Sequence, residues 1–122
     1  MRRVCRPGGR LAVMDLTPPA DKAEALDRFE RLRDPSHVHA LTPEELRGLG
    51  RDLGLTEVAA HTFLTPSAPI DAILSWPISE THSIDELREM VIADPDALGV
   101  AVSDADGEPR IAYLMSVMVW RA

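Results

Sequence analysis

Arg10-Leu11-Ala12-Val13-Met14-Asp15-Leu16 is the stretch on which the fold turns, bounded by Pro7-Gly8-Gly9 before it and Thr17-Pro18-Pro19 after it. A short apolar run between two such breaks reads as a strand of the kind buried on both faces of a parallel sheet. On its N-terminal side, Met1 to Arg6 carry no helix cap and run straight into the break. An element that starts without a beginning is a sign of truncation.

On its C-terminal side, Asp21 to Arg33 has helical periodicity, with Leu26, Phe29 and Leu32 or Arg33 on one face. The interleaved Arg28, Glu30, Arg31 and Arg33 read as a solvated face. Asp34-Pro35 ends this helix and opens the loop DPSHVHAL. Thr42-Pro43-Glu44-Glu45 is a capping box with proline at the first helical position. The helix it starts is expected to bury Leu46, Leu49 and Leu53, with Gly54 as a left-handed cap. Glu57 to Leu64 reads as a second strand, and Pro66 and Pro69 bracket a linker into a short helix ending before Pro77. A second capping box, Ser83-Ile84-Asp85-Glu86, leads a helix through Leu87, Met90 and Val91 to Asp94-Pro95. Gly99–Ser103 and Ile111–Trp120 are strands joined by the turn Asp104-Ala105-Asp106-Gly107. Alternating strands and helices argue for an α/β fold, and the final hairpin for an antiparallel strand within it.

At 122 residues, the chain is long enough for one small domain spanning 1–122. The net charge of −7 disfavours a nucleic-acid partner. Nothing approaches the roughly 20 apolar residues of a membrane span. Cys5 is the only cysteine, so no internal disulfide forms, and a cytoplasmic location is expected. It reads as a small packing group. Met14, Met90, Met115 and Met118 read as core filler.

Val4 to Asp15, VCRPGGRLAVMD, resembles the Pro-Gly-Gly turn and fifth strand of class I S-adenosylmethionine-dependent methyltransferases, of the type 11 or ubiquinone-biosynthesis-like kind. Leu41 to Leu55 resembles that family's next helix, and IAYLMSVMVWRA its seventh strand, which inserts antiparallel between strands five and six. The resemblance therefore implies the C-terminal half of a partial Rossmann-like fold. Its mixed sheet would have three to four strands and helices, and Ile111–Trp120 would lie antiparallel between Arg10–Leu16 and Glu57–Leu64. The full-length family implies S-adenosylmethionine as cofactor and a small molecule as methyl acceptor. The glycine-rich loop and the acidic residue that hold the cofactor would lie upstream of Met1. Gly8-Gly9 precedes a strand and so reads as a turn, not a cradle.

Asp15 ends the first strand, where open α/β sheets place their ligand crevice, and could position substrate or take a proton. The plainer reading is a carboxylate capping the turn at Thr17-Pro18. His37 lies in a loop of a kind found in such methyltransferases, and could orient a substrate hydroxyl or act as a base. Its plainer reading is a helix-cap or loop hydrogen bond made by Ser36 and His37. Neither the four histidines nor Asp104-x-Asp106-Gly107 completes a metal-ligand pattern: Pro109 and Met115 stand where a calcium loop needs glycine and a carboxylate.

The leading expectation is a methyltransferase portion inactive alone, either cut from a longer gene or begun at an internal methionine. The alternative is a non-catalytic oligomerisation or small-ligand-binding domain on the same scaffold. A helix-turn-helix starting at Thr42–Leu53 is disfavoured by charge. The flat apolar edge of Leu11–Met14 has no lysine, proline or bulge to guard it, so a two-fold homodimer is expected.

Overall fold

The computed structural model describes residues 1–76 and 79–122, except for the side chain of Arg2; the expected stop at Pro77 lies outside these. After a 3-10 turn at Arg2–Val4, the elements are β1 (Arg10–Leu16), α1 (Ala23–Arg33), α2 (Pro43–Asp52), β2 (Thr56–Leu64), β3 (Ala68–Pro69), α3 (Ile70–Leu74), α4 (Ile84–Ala93), β4 (Val100–Ala105) and β5 (Glu108–Arg121).

Local chemistry accounts for most of these boundaries. Thr42 and Ser83 each accept the N–H three residues on, while Glu45 and Glu86 reach back to the cap N–H, so both capping boxes are complete. Gly54 takes φ +65° after α2. Asp106 and Gly107, at φ 55° and 83°, are the paired left-handed residues that a two-residue hairpin with the native strand twist requires.

The sheet order is β1-β5-β2, with β3 and β4 also paired to β5, and every pairing is antiparallel. The last strand thus lies between the first two, as the resemblance implied. Among the described residues the sheet has five strands, one more than the sequence suggested, because the proline-bracketed linker runs extended beside Arg110 and Ile111.

Strand alternation divides β5 between two cores. Ile111 and Tyr113 face a cluster with Leu26, Phe29, Ile70, Leu74, Leu87 and Val91, brought by α1, α3 and α4. Met118 and Trp120 point to the opposite face and pack with Leu11 and Leu46 under α2. Ser116 shares that second face, where its hydroxyl bonds both Thr17 Oγ1 (2.6 Å) and Thr62 Oγ1 (2.7 Å). This hydroxyl chain satisfies its buried members and stitches three strands together.

The structure corrects several burial expectations. Leu49 and Leu53 are about half exposed, because α2 seats on the sheet through Leu46 and Gly50. Met14 is 61% exposed and Met90 is also exposed, whereas Met118 is core. Glu30 and Arg33, expected in solvent, are an ion pair with side chains only 7% and 13% exposed. Arg33 turns inward because its Nη1 donates to the carbonyls of Ile73 (3.2 Å) and Trp76 (2.6 Å), which end α3.

One face of the sheet is left bare. Register places Ala12 and Met14 of β1 beside Val119 and Val117 of β5, which in turn lie beside Ala59 and His61 of β2. Ala12, Met14, Ala59 and His61 on this face are exposed. The outer edge of β1 likewise pairs with no strand among the described residues.

Gly50 allows α2 to approach the sheet, since a Cβ there would overlap the indole of Trp120, whereas one at Gly48 would meet only Arg51 Nη2 at 3.5 Å. Mid-helix Gly→Ala ordinarily stabilises by about 1 kcal/mol. Gly48→Ala should follow that rule, and Gly50→Ala should reverse it, costing about 1–3 kcal/mol through overpacking. Urea denaturation of both variants checks the opposite signs.

Candidate functional site

The buried stripe of α1 comprises Ala23, Leu26, Asp27, Phe29 and Glu30, so two acids face inward. Asp27 is satisfied by the loop that follows the helix. Its Oδ1 accepts from His37 Nε2 (2.8 Å) and from the Ala40 N–H (2.8 Å), and its Oδ2 from His39 Nδ1 (2.6 Å). His39 Nε2 reaches on to Glu45 Oε2 (3.1 Å), which also accepts the Thr42 N–H (2.8 Å) in the capping box of α2.

The loop itself is folded on Asp34, whose Oδ1 accepts from Ser36 N–H (2.9 Å) and Ser36 Oγ (2.7 Å) and whose carbonyl accepts from the His37 N–H (3.0 Å). Arg31 Nη2 holds the Val38 carbonyl at 3.0 Å. One chain of polar contacts therefore runs from α1 through the loop into α2.

Electrostatics follow from this geometry. Burial raises the Asp27 carboxyl, but donation from His37, the Ala40 N–H and His39 outweighs it and holds the group at about 2, against an ordinary 3.8. His39 is raised by its bond to Asp27 first and by Glu45 second. Glu45 is lowered, mainly by the Thr42 N–H and then by His39. Elsewhere in the core, burial first and the Glu30 charge second push the Tyr113 phenol up to about 12. The Tyr113 hydroxyl and Glu30 Oε1 are both buried without a partner among the described residues.

Of the two residues singled out from sequence, His37 belongs to this network and Asp15 does not. Asp15 is exposed at the end of β1, where its Oδ1 accepts the Leu16 N–H at 2.8 Å. No hydrogen bond joins it to His37 among the described residues. His37 makes the loop contact that the plainer reading assigned to it, with a side chain 18% exposed, and adds the bond to Asp27. Sequence reading missed Asp27, His39 and Glu45 as partners. The available signal was an acid on the buried stripe of α1, followed ten and twelve residues later by histidines.

Other candidate features are occupied structurally. The Gly8 N–H donates to the Ala122 carbonyl and the Gly9 N–H to the Arg6 carbonyl, both at 2.9 Å. A Cβ on Gly9 would come within 2.8 Å of Arg6 O and Cys5 Sγ. The pair is a packed turn with no N–H left for an anion, so it does not fit the carboxylate of S-adenosylmethionine. His61 stacks on Phe63 at 5.6 Å, and His82 Nδ1 pairs with Thr81 Oγ1 at 2.7 Å. No group of three His, Cys, Asp or Glu side chains among the described residues is placed to hold a metal. No described helix is long and apolar enough to cross a membrane.

No family profile and no curated protein matches the sequence. Among solved structures, a candidate methyltransferase of Bacillus halodurans C-125 superposes with TM-score 0.73 at 19% identity, over 95% of this chain and 56% of that one. The YcgJ protein of Bacillus subtilis does so with TM-score 0.62 at 18% identity, over 95% of this chain and 51% of that one. The chain has a methyltransferase-like fold, and only part of one. It spans about half the length of the structures it matches.

The depressed Asp27 carboxyl implies a stability term that is complete above about pH 4 and lost as pH falls through its folded value of about 2. The shift corresponds to about 2 kcal/mol, at 1.36 kcal/mol per pH unit. Asp27→Asn should flatten the stability curve across that window while lowering stability at neutral pH, as followed by chemical denaturation at stepped pH.

Proposed function

We propose that the chain is the C-terminal portion of an S-adenosylmethionine-dependent methyltransferase acting on a small molecule, and that it does not carry out the transfer alone. The observation that carries this reading is the bare face of Ala12, Met14, Val117, Val119, Ala59 and His61, beside an unpaired β1 edge. Apolar surface in that arrangement is normally covered. The structures of similar fold are about twice as long, which leaves the covering part to be supplied by the rest of such a protein.

The cofactor would bring the activated methyl group, and its site would belong to the missing part. The share of this chain is substrate placement. His37, bonded through Nε2 to the ionised Asp27, presents Nδ1 as an acceptor to a hydroxyl or amine of the methyl acceptor. Asp15, with one oxygen committed to the Leu16 N–H, offers the other from the end of β1. The lone Cys5 suits a reducing cytoplasm.

A second reading, a non-catalytic scaffold that dimerises, is favoured by the same open edge. Two copies pairing β1 to β1 about a two-fold axis would extend the sheet and satisfy both rows of backbone groups.

Three measurements test these readings. The reading frame upstream of Met1 should encode a glycine-rich strand–loop–helix; a stop codon followed by a ribosome-binding site would favour the scaffold. Calorimetry of the chain with S-adenosylmethionine should show no saturable micromolar binding, and stoichiometric micromolar binding would overturn the division of labour. Light scattering at micromolar concentration should give a dimer that Val13→Pro separates, and a monomer would remove the edge-pairing reading.

A further inference from the structure

The two carboxylates that flank His39 decide its protonation by geometry. Asp27 and Glu45, both ionised at neutral pH, have only lone pairs to offer. Nδ1 of His39 lies 2.6 Å from Asp27 Oδ2 and its Nε2 lies 3.1 Å from Glu45 Oε2. A neutral imidazole has one N–H and can satisfy one of these contacts, leaving the other as lone pair against lone pair. An imidazolium donates to both and places a cation between two anions. His37 needs only one donor, at Nε2 toward Asp27 Oδ1.

We propose that His39 is a positioning imidazolium that clasps the loop Asp34–Leu41 between α1 and α2 and so holds His37 with its Nε2–H on Asp27 and its Nδ1 turned toward substrate. The clasp rests on contacts already described; its last clause rests on the substrate-placing role proposed above for His37. The charged groups that contact His39 are Asp27 from α1 and Glu45 from α2; His37 shares Asp27 with it, and Arg31 from α1 bonds the neighbouring Val38 carbonyl.

The clasp is sensitive to pH in a defined direction. Because the folded protein raises His39 above its ordinary value, the stabilisation is fully present below about 6.5 and disappears as pH rises through the folded value. Loss of the proton removes one of the two bridges, so the loop loosens from either α1 or the capping box of α2. His37, two residues away and bonded to the same carboxylate, then loses its fixed orientation. Acid loosens the loop by another route, protonation of Asp27.

Long-range proton–nitrogen NMR spectra of the chain, recorded from about pH 5 to pH 10, read this state directly. The expected result is a doubly protonated His39 persisting well above the ordinary histidine midpoint, and a His37 proton held on Nε2 against Asp27. Glu45→Gln keeps an oxygen for the Thr42 N–H while removing the charge, and should lower the His39 midpoint. A neutral His39 at pH 7, or a midpoint unmoved by Glu45→Gln in a chain whose amide spectrum is still folded, would overturn the clasp. Those spectra require no methyl transfer. If the clasp titrates as expected but His37→Gln leaves the pH profile and KM of the full-length enzyme unchanged, the substrate-facing clause fails and the clasp stands.

Discussion

Every strand hydrogen-bonds to β5, and among the described residues no two of the other strands pair with each other. The C-terminal half of β5 carries β1 on one side and β2 on the other, and its N-terminal half carries β4 and β3. Each ladder bond contributes on the order of 1 kcal/mol net, so no single bond matters much, but all of them share one partner. The first strand meets the last across about a hundred residues of chain. Loop closure on that scale opposes the pairing of β1 with β5, whereas the two-residue turn at Asp106-Gly107 lets β4 and β5 pair locally.

The same strand explains why one face is covered and the other is not. Its buried side chains change parity along its length: Ile111 and Tyr113 look toward α1, α3 and α4, while Ser116, Met118 and Trp120 look toward α2. A single strand thus serves two cores on opposite faces. The helices available cover the odd-numbered positions only near Tyr113, leaving Val117 and Val119 with bare neighbours on both sides. The gap follows from the helix complement of this stretch of chain, and it coincides with the half-length match to larger structures.

The elements themselves were legible in sequence because their signals are local. Capping boxes, the Asp-Gly hairpin and the proline breaks act within four residues, and the elements they delimit appear within three residues of where they were expected. The insertion of the last strand was legible only through resemblance, since periodicity carries no information about strand order. Side-chain destinations on α1 and α2 were not legible. Leu49 and Leu53 have the spacing of a buried stripe, but beyond Leu46 they line an open cleft with Leu11, Val13 and Trp120 and stay about half exposed. Glu30 and Arg33 have the pattern of a solvated pair, but the carbonyls ending α3 recruit the guanidinium inward. In each case a distant partner decided the outcome, and a window of one helix turn cannot contain it.

The candidate site has the same origin. Helix α1 docks with two acids on its buried stripe, and burying a carboxylate is tolerable only when donors reach it. For Glu30 one oxygen is served by Arg33 from within the helix, and the other stays unpaired beside Tyr113. For Asp27 no helical donor serves, so the following loop must supply three: two imidazoles and a backbone N–H. That demand dictates the path of Asp34–Leu41 more than any turn propensity does. It also puts a histidine with one committed nitrogen on a partly exposed loop. A residue fixed for structural reasons at one nitrogen is oriented at the other, so the features that satisfy the buried acid also fix the orientation of the His37 ring.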